Sequence, residues 1–168
     1  MVKILLAHSE KDFLVASDLD MRYTETRNCS YLTRGRKGRY IKMEIGICGK
    51  QTVTVTEAMT AKAMGSGELP VYATPSMIAL MENTAYTSVA GELEEGQGTV
   101  GTLMNVKHLA ASPVGMEVTC ETKLIEVDRK RLVFEVKAFD NGGCIGEGIH
   151  ERFIITNEKF LSKAQSKL

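Results

Sequence analysis

The sequence predicts an α+β fold: one strand, one buried helix, then four antiparallel strands. Three observations carry this. Gln51 to Glu57 alternates strictly, with Val53 and Val55 against Thr52, Thr54 and Thr56, the pattern of a half-buried strand of β-branched residues. The stretch opened by Thr74-Pro75 is apolar around much of its circumference. Everything from Gly98 to Thr156 reads as extended runs separated by turns, with no repeat and no internal linker.

Each element has a local reason. Thr56 is positioned to cap a short helical stretch, Glu57 to Met64, ended by Gly65-Ser66-Gly67. Thr74 offers a hydroxyl N-cap and Pro75 the first helical residue. The helix should run to about Val89. Its apolar residues, Met77, Ile78, Leu80, Met81, Ala85 and Val89, cover more than a surface stripe, so it should lie buried against a sheet. Gly98 to Ala110 is one extended run, stopped by Ser112-Pro113, and Gly115 to Val127 is the next. Asp128-Arg129-Lys130 turns the chain into Arg131 to Asp140, where Leu132, Phe134, Val136 and Ala138 alternate with charged residues. Asn141-Gly142-Gly143 is a hairpin signal, Cys144 to Thr156 the last strand, and Asn157 to Lys167 a polar terminal helix.

Composition narrows the class. The chain has 168 residues, 43% hydrophobic and 25% charged, with no tryptophan, enough for one domain with a real core. No apolar run is long enough for a membrane span. The opening Ile4-Leu5-Leu6-Ala7 is broken at once by His8, Glu10, Lys11 and Asp12, so no signal peptide is expected. Cys29, Cys48, Cys120 and Cys144 form no CxxC and no metal grouping. They read as reduced thiols of a cytoplasmic protein, with no metal, Cys120 and Cys144 serving as small buried hydrophobes.

The zero net charge hides an uneven split. Residues 1–42 hold nine Lys or Arg against five Asp or Glu. This basic arm lacks aromatic platforms and a recognition helix, so nucleic acid is not expected as a partner. It reads as disordered, or as non-native, because Met43 follows codons for Gly38-Arg39 that can resemble a ribosome-binding site. The domain itself is taken as 43–168.

Chemistry concentrates between Pro70 and Pro113. A hydroxyl (Thr74), a carboxylate (Glu82) and an imidazole (His108) occur within 35 residues, and the chain holds three histidines in all. These are the nucleophile, orienter and base of an acyl-transfer site. Each has a bland alternative: Thr74 as cap, Glu82 as solvated helical residue, and His108 as a core residue beside Met104, Val106 and Ala110. Thr74 and Glu82 stand ~12 Å apart along the helix. An imidazole between them could join both, taking the threonine proton while Glu82 fixes its tautomer; the pair could instead activate water. The helix start offers N–H groups to an oxyanion. His150 and Arg152 share a strand face, Arg152 as a phosphate or carboxylate partner or a surface ion pair.

These residues give the chain a family likeness. Ala73-Thr74-Pro75 through Leu80-Met81-Glu82, Gly101-Thr102 through Val106-Lys107-His108, and His150-Glu151-Arg152 resemble the hot-dog-fold acyl-CoA thioesterases of the fluoroacetyl-CoA thioesterase-like group, over about residues 47 to 164. The resemblance implies a sheet wrapped around the helix and a homodimer with acyl-CoA sites where its two sheets join. It puts Thr74, Glu82 and His108 on catalytic positions and Gly101 and Arg152 on substrate-binding ones. It also implies hydrolysis of a short acyl thioester without a cofactor. Fluoroacetate-resistance members carry aromatic residues in the lid where this chain has Ser66 and Leu69, which implies a more general small acyl-CoA substrate. Two other functions fit the same residues: a hot-dog hydratase or dehydratase using Glu82 and His108, and a non-catalytic acyl-CoA-binding module.

Overall fold

In the computed structural model the described residues are 43–168, together with the backbone of a short antiparallel pair, Thr33–Arg34 (β1) and Tyr40–Ile41 (β2). The expectations of a disordered or non-native arm over residues 1–42 otherwise lie outside the described residues.

Five strands form one antiparallel sheet: β3 (Cys48–Thr54), β4 (Gln97–His108), β5 (Glu117–Asp128), β6 (Arg131–Asp140) and β7 (Gly143–Thr156). Their order is β3-β5-β6-β7-β4, so β3 and β4 are the free edges. Helix α1 (Thr74–Val89) crosses one face, touching β3, β4, β5 and β6. A terminal helix, α2 (Asn157–Gln165), has no buried residue. The α+β expectation of a sheet around a central helix describes this architecture.

Alternation decides which face is buried. Val118, Cys120 and Leu124 of β5, Leu132, Phe134 and Val136 of β6, and Ile145 and Ile154 of β7 meet Met77, Met81, Ala85 and Val89 of α1 in one core. Full burial of such side chains is worth roughly 1.5–3 kcal/mol each for those of valine size and above. The helix buries one side only: Ala79, Asn83, Tyr86 and Thr87 are exposed or half-buried, and Ile78 is half-buried. The helix does lie buried against the sheet as expected, with Ile78 alone of the six named apolar residues only half-buried. A polar seam fixes the helix on β3, where Gln51 Nε2 donates to Asn83 Oδ1 and Thr87 Oγ1, both at 3.0 Å.

Several boundaries differ from expectation. The first sheet strand is β3, which begins three residues before Gln51 and stops at Thr54, although Val53 and Val55 do face inward as read. Thr56 makes no side-chain cap, and the stretch to Met64 contains only a 3-10 turn, Glu57–Met59. Beyond it, Met64 N–H reaches Thr60 O while Ala61 N–H bonds Val71 O; the chain doubles back instead of continuing a helix. β4 stops at His108, leaving Ala110 outside the strand and exposed. Cys120 is fully buried, and burial pushes its thiol up to about 11; Cys144 is only half-buried.

The edge strand β4 carries one irregularity. Its register on β7 shifts between Gly101 and Leu103, a β-bulge that leaves Thr102 without a partner in the ladder. Before it, odd residues (Thr99, Gly101) face α1; after it, even residues (Met104, Val106, His108) do. A strand flips its faces at every extra residue.

Candidate active site

The helix start differs from the sequence reading by one residue, with chemical consequences. Ala73 is the N-cap of α1 and has no side chain to cap with; Thr74 and Pro75 are the first two helical residues. Proline fits there because first-turn N–H groups have no helical acceptor anyway. Thr74 is thereby freed from capping. Its Oγ1 lies 2.8 Å from His108 Nδ1. Both line a cleft of about 390 Å³ together with Ala61, Ser66, Val71, Leu109, Ala110 and Ala111 among others.

Thr74 is exposed and His108 half-buried. Yet His108 Nε2 is shut off from solvent and has no hydrogen-bond partner among the described residues. If Nδ1 accepts the threonine O–H, Nε2 must carry the ring hydrogen. A buried N–H without an acceptor is costly and uncommon.

Glu82 does not fill that gap within the protomer. Its carboxylate lies against Gly101, where even a Cβ would collide with Oε1, and 4.0 Å from the Arg152 guanidinium. Gly101 and His108 are seven residues apart on β4, roughly 23 Å at ~3.3 Å per residue. The expectation of one imidazole sandwiched between Thr74 and Glu82 of the same chain fails for this reason: β4 carries His108 to the helix start and Gly101 to Glu82.

Around Glu82 the polar groups are densely satisfied. Arg152 is 6% exposed, so it is no surface ion pair. It donates from Nε to Thr99 Oγ1 (2.8 Å), from Nη2 to Thr99 O (2.7 Å) and from Nη1 to His150 Nε2 (3.1 Å). His150 is fully buried, and its Nδ1–H donates to Leu103 O at 2.8 Å, which ties it to the bulge. Burial holds His150 below its ordinary value of 6.5, aided by the Arg152 charge and opposed by the Leu103 bond. Burial also lowers Arg152, opposed by Glu82, and the guanidinium stays cationic. Sequence pairing of His150 with Arg152 identified the strand face; it missed Thr99, whose place opposite Ile154 gives no sequence signal.

Among the described residues no group of His, Cys, Asp and Glu could hold a metal, and no helix is long and apolar enough to cross a membrane.

The sequence profile of fluoroacetyl-CoA-specific thioesterases matches residues 55–158. This chain belongs to that family. The fluoroacetyl-CoA thioesterase of Streptantibioticus cattleyicolor is 42% identical over 97 residues, covering 58% of this chain and 70% of that protein. A solved structure of a fluoroacetyl-CoA thioesterase superposes with a TM-score of 0.72 at 36% identity, over 75% of this chain and 98% of the other. A thioesterase-superfamily protein of Thermus thermophilus gives 0.67 at 28% identity, over 73% and 90%. A hot-dog-like protein of Thermanaerovibrio acidaminovorans, 23% identical, matches in fold with a TM-score of 0.68 over 74% and 92%. As a member of the family the protein is a hot-dog-fold acyl-CoA thioesterase, a thioester hydrolase.

Proposed function

We propose that the protein hydrolyses a short-chain acyl-CoA to the free acid and coenzyme A, using Thr74 as nucleophile, His108 as base and Glu82 as orienter. The observation that carries this is the 2.8 Å contact between Thr74 Oγ1 and His108 Nδ1 at a helix start. Thr74 attacks the thioester carbonyl as His108 Nδ1 takes its proton. N–H groups at the start of the helix meet the oxyanion. His108 then gives the proton to the coenzyme A sulfur as the C–S bond breaks. Water repeats the cycle on the acyl-threonine.

Glu82 enters from a second copy. Two β4 edges paired antiparallel about a two-fold axis midway between Gly101 and His108 bring each Gly101 opposite His108 of the partner subunit. The Glu82 carboxylate then comes to the ring edge that carries the unsatisfied Nε2, which a small shift of the imidazole on pairing uncovers. The free β4 edge and exposed Leu103, 44% accessible, support this homodimer. Gly101 contributes exposed backbone to the substrate, and Arg152 holds the Glu82 end of the site. Exposed Leu69 and the small residues lining the cleft support a general small acyl group over a fluoroacetyl-specific one. Three described cysteines are free thiols, which supports a cytoplasmic setting. Residues 43–168 are the catalytic domain.

Free-thiol release from a panel of short acyl-CoAs, wild type beside His108→Ala, tests the proposal. Turnover lost in the mutant is expected, and the wild type, quenched during turnover, should show acyl-threonine at Thr74 by mass spectrometry. Binding without hydrolysis by the wild type would sink it and bring forward the hydratase or the acyl-CoA-binding module.

A further inference from the structure

The chain between β4 and β5 leaves regular structure immediately after His108, so something else must hold the imidazole on Thr74. Ser112 is the joint. It is fully buried, and its carbonyl accepts the N–H of Tyr72, two residues before Thr74, at 2.8 Å. Val71 and Pro113 form a bridge beside it. The Ser112 hydroxyl donates to Asp140 Oδ2 at 2.6 Å. Asp140 closes β6, and its other oxygen accepts the Gly142 N–H at 2.8 Å, so the carboxylate is held from two sides. The same β6–β7 hairpin grips the loop nearer His108, where Leu109 N–H donates to Ile145 O at 2.7 Å.

We propose that Ser112 and Asp140 are positioning residues for the Thr74–His108 pair. Asp140 fixes Ser112 on the sheet, and Ser112 fixes the segment entering α1 to the segment leaving β4. This rests on the acyl-transfer reading of Thr74 and His108. Neither Ser112 nor Asp140 touches the pair, so their influence passes through the backbone. The bond joining them is a hydroxyl on a carboxylate, among the stronger hydrogen bonds a protein makes. An ångström of misplacement is enough to cost a catalytic pair about 100-fold.

The test compares Ser112→Ala, Ser112→Thr and Asp140→Asn in the full chain. Asparagine keeps an oxygen for Gly142 but presents an amino group that cannot accept from Ser112, and it nearly preserves the shape should Ser112→Ala fail to fold. Two readouts are needed: steady-state kinetics with a hydrolysed acyl-CoA, and imidazole ¹⁵N shifts of His108, assigned by its loss in His108→Ala. In Ser112→Ala and Asp140→Asn, kcat should fall about 10- to 100-fold with KM changed much less, and the Nδ1 resonance should lose its hydrogen-bonded position. Ser112→Thr should restore both. Variants that melt earlier yet keep wild-type kcat and an unmoved Nδ1 shift would reduce Ser112 and Asp140 to structural support and overturn the inference. If the wild type hydrolyses no acyl-CoA, the acyl-transfer reading fails, while the ¹⁵N shifts still report whether Ser112 and Asp140 position the imidazole.

Discussion

The two ends of β4 carry the same kinds of groups in opposite states. At the His108 end an imidazole and a hydroxyl face an open cleft, and one ring nitrogen has no acceptor among the described residues. At the Gly101 end the imidazole of His150 and the guanidinium of Arg152 are buried, with both ring nitrogens and all three guanidinium nitrogens bonded. On the proposed reading the first end reacts and the second stays fixed. The contrast teaches that two histidines on strands facing the same helix can differ in burial and satisfaction, the properties that would separate a base from a supporting residue.

Removing the proposed catalytic groups breaks the comparison most sharply. His108→Ala and Thr74→Val should each lower kcat by about 10³- to 10⁴-fold, with unfolding free energy changed by less than ~1 kcal/mol. Denaturation curves beside initial rates check this, and a large stability loss would make His108 a core residue. Next comes complementation. Glu82→Ala and His108→Ala chains, each nearly inactive alone, should recover about a quarter of wild-type activity when randomly mixed as dimers, because half are mixed and each mixed dimer holds one intact site. No recovery would remove the cross-subunit placement of Glu82.

The supporting end should answer through stability. Arg152→Met strips the partners from Thr99 Oγ1 and His150 Nε2, and should cost about 2–4 kcal/mol in urea unfolding. A neutral result would mean that the cluster relaxes or hydrates. The smallest effect is one of pH. The His150 pKa is lower folded than unfolded, so below its ordinary 6.5 the unfolded chain binds a proton that the folded chain refuses. Stability therefore holds above about pH 6.5 and falls as the pH drops from there toward the folded value, at up to ~1.4 kcal/mol per unit. His150→Gln should flatten that slope in thermal melts at pH 4.5–7.5; an identical slope would assign it to other groups.

Much of the fold was legible in the residues. Alternation in β3 and β6 and the glycines at the β6–β7 turn marked those strands, because side chains on a pleated sheet obey a period of two. The pairing of Thr74 with His108 was within reach because the chain holds so few histidines. The cap assignment failed at Thr74 since helix starts are set by backbone angles to within a residue, and Ala73 can take an extended conformation as well as threonine can. Glu82 was misplaced because spacing along a helix says nothing of where a distant strand crosses it. Ser112 read only as the residue before a proline, and Asp140 only as a strand end. Their bond spans 28 residues, and no local pattern announces a contact of that range.

The bulge at Thr102 has a consequence for how this site can be inherited. Gly101 and His108 are an odd number of residues apart, and an unbroken strand would turn one of them toward solvent. The extra residue cancels that mismatch. A lineage that straightens β4 must also delete or insert one residue between glycine and histidine, and single indels elsewhere in that interval are forbidden unless they come in pairs. Alignment gaps between these two positions should therefore track the presence or absence of the bulge, a rule of arithmetic written into the gene by the pleat of a sheet.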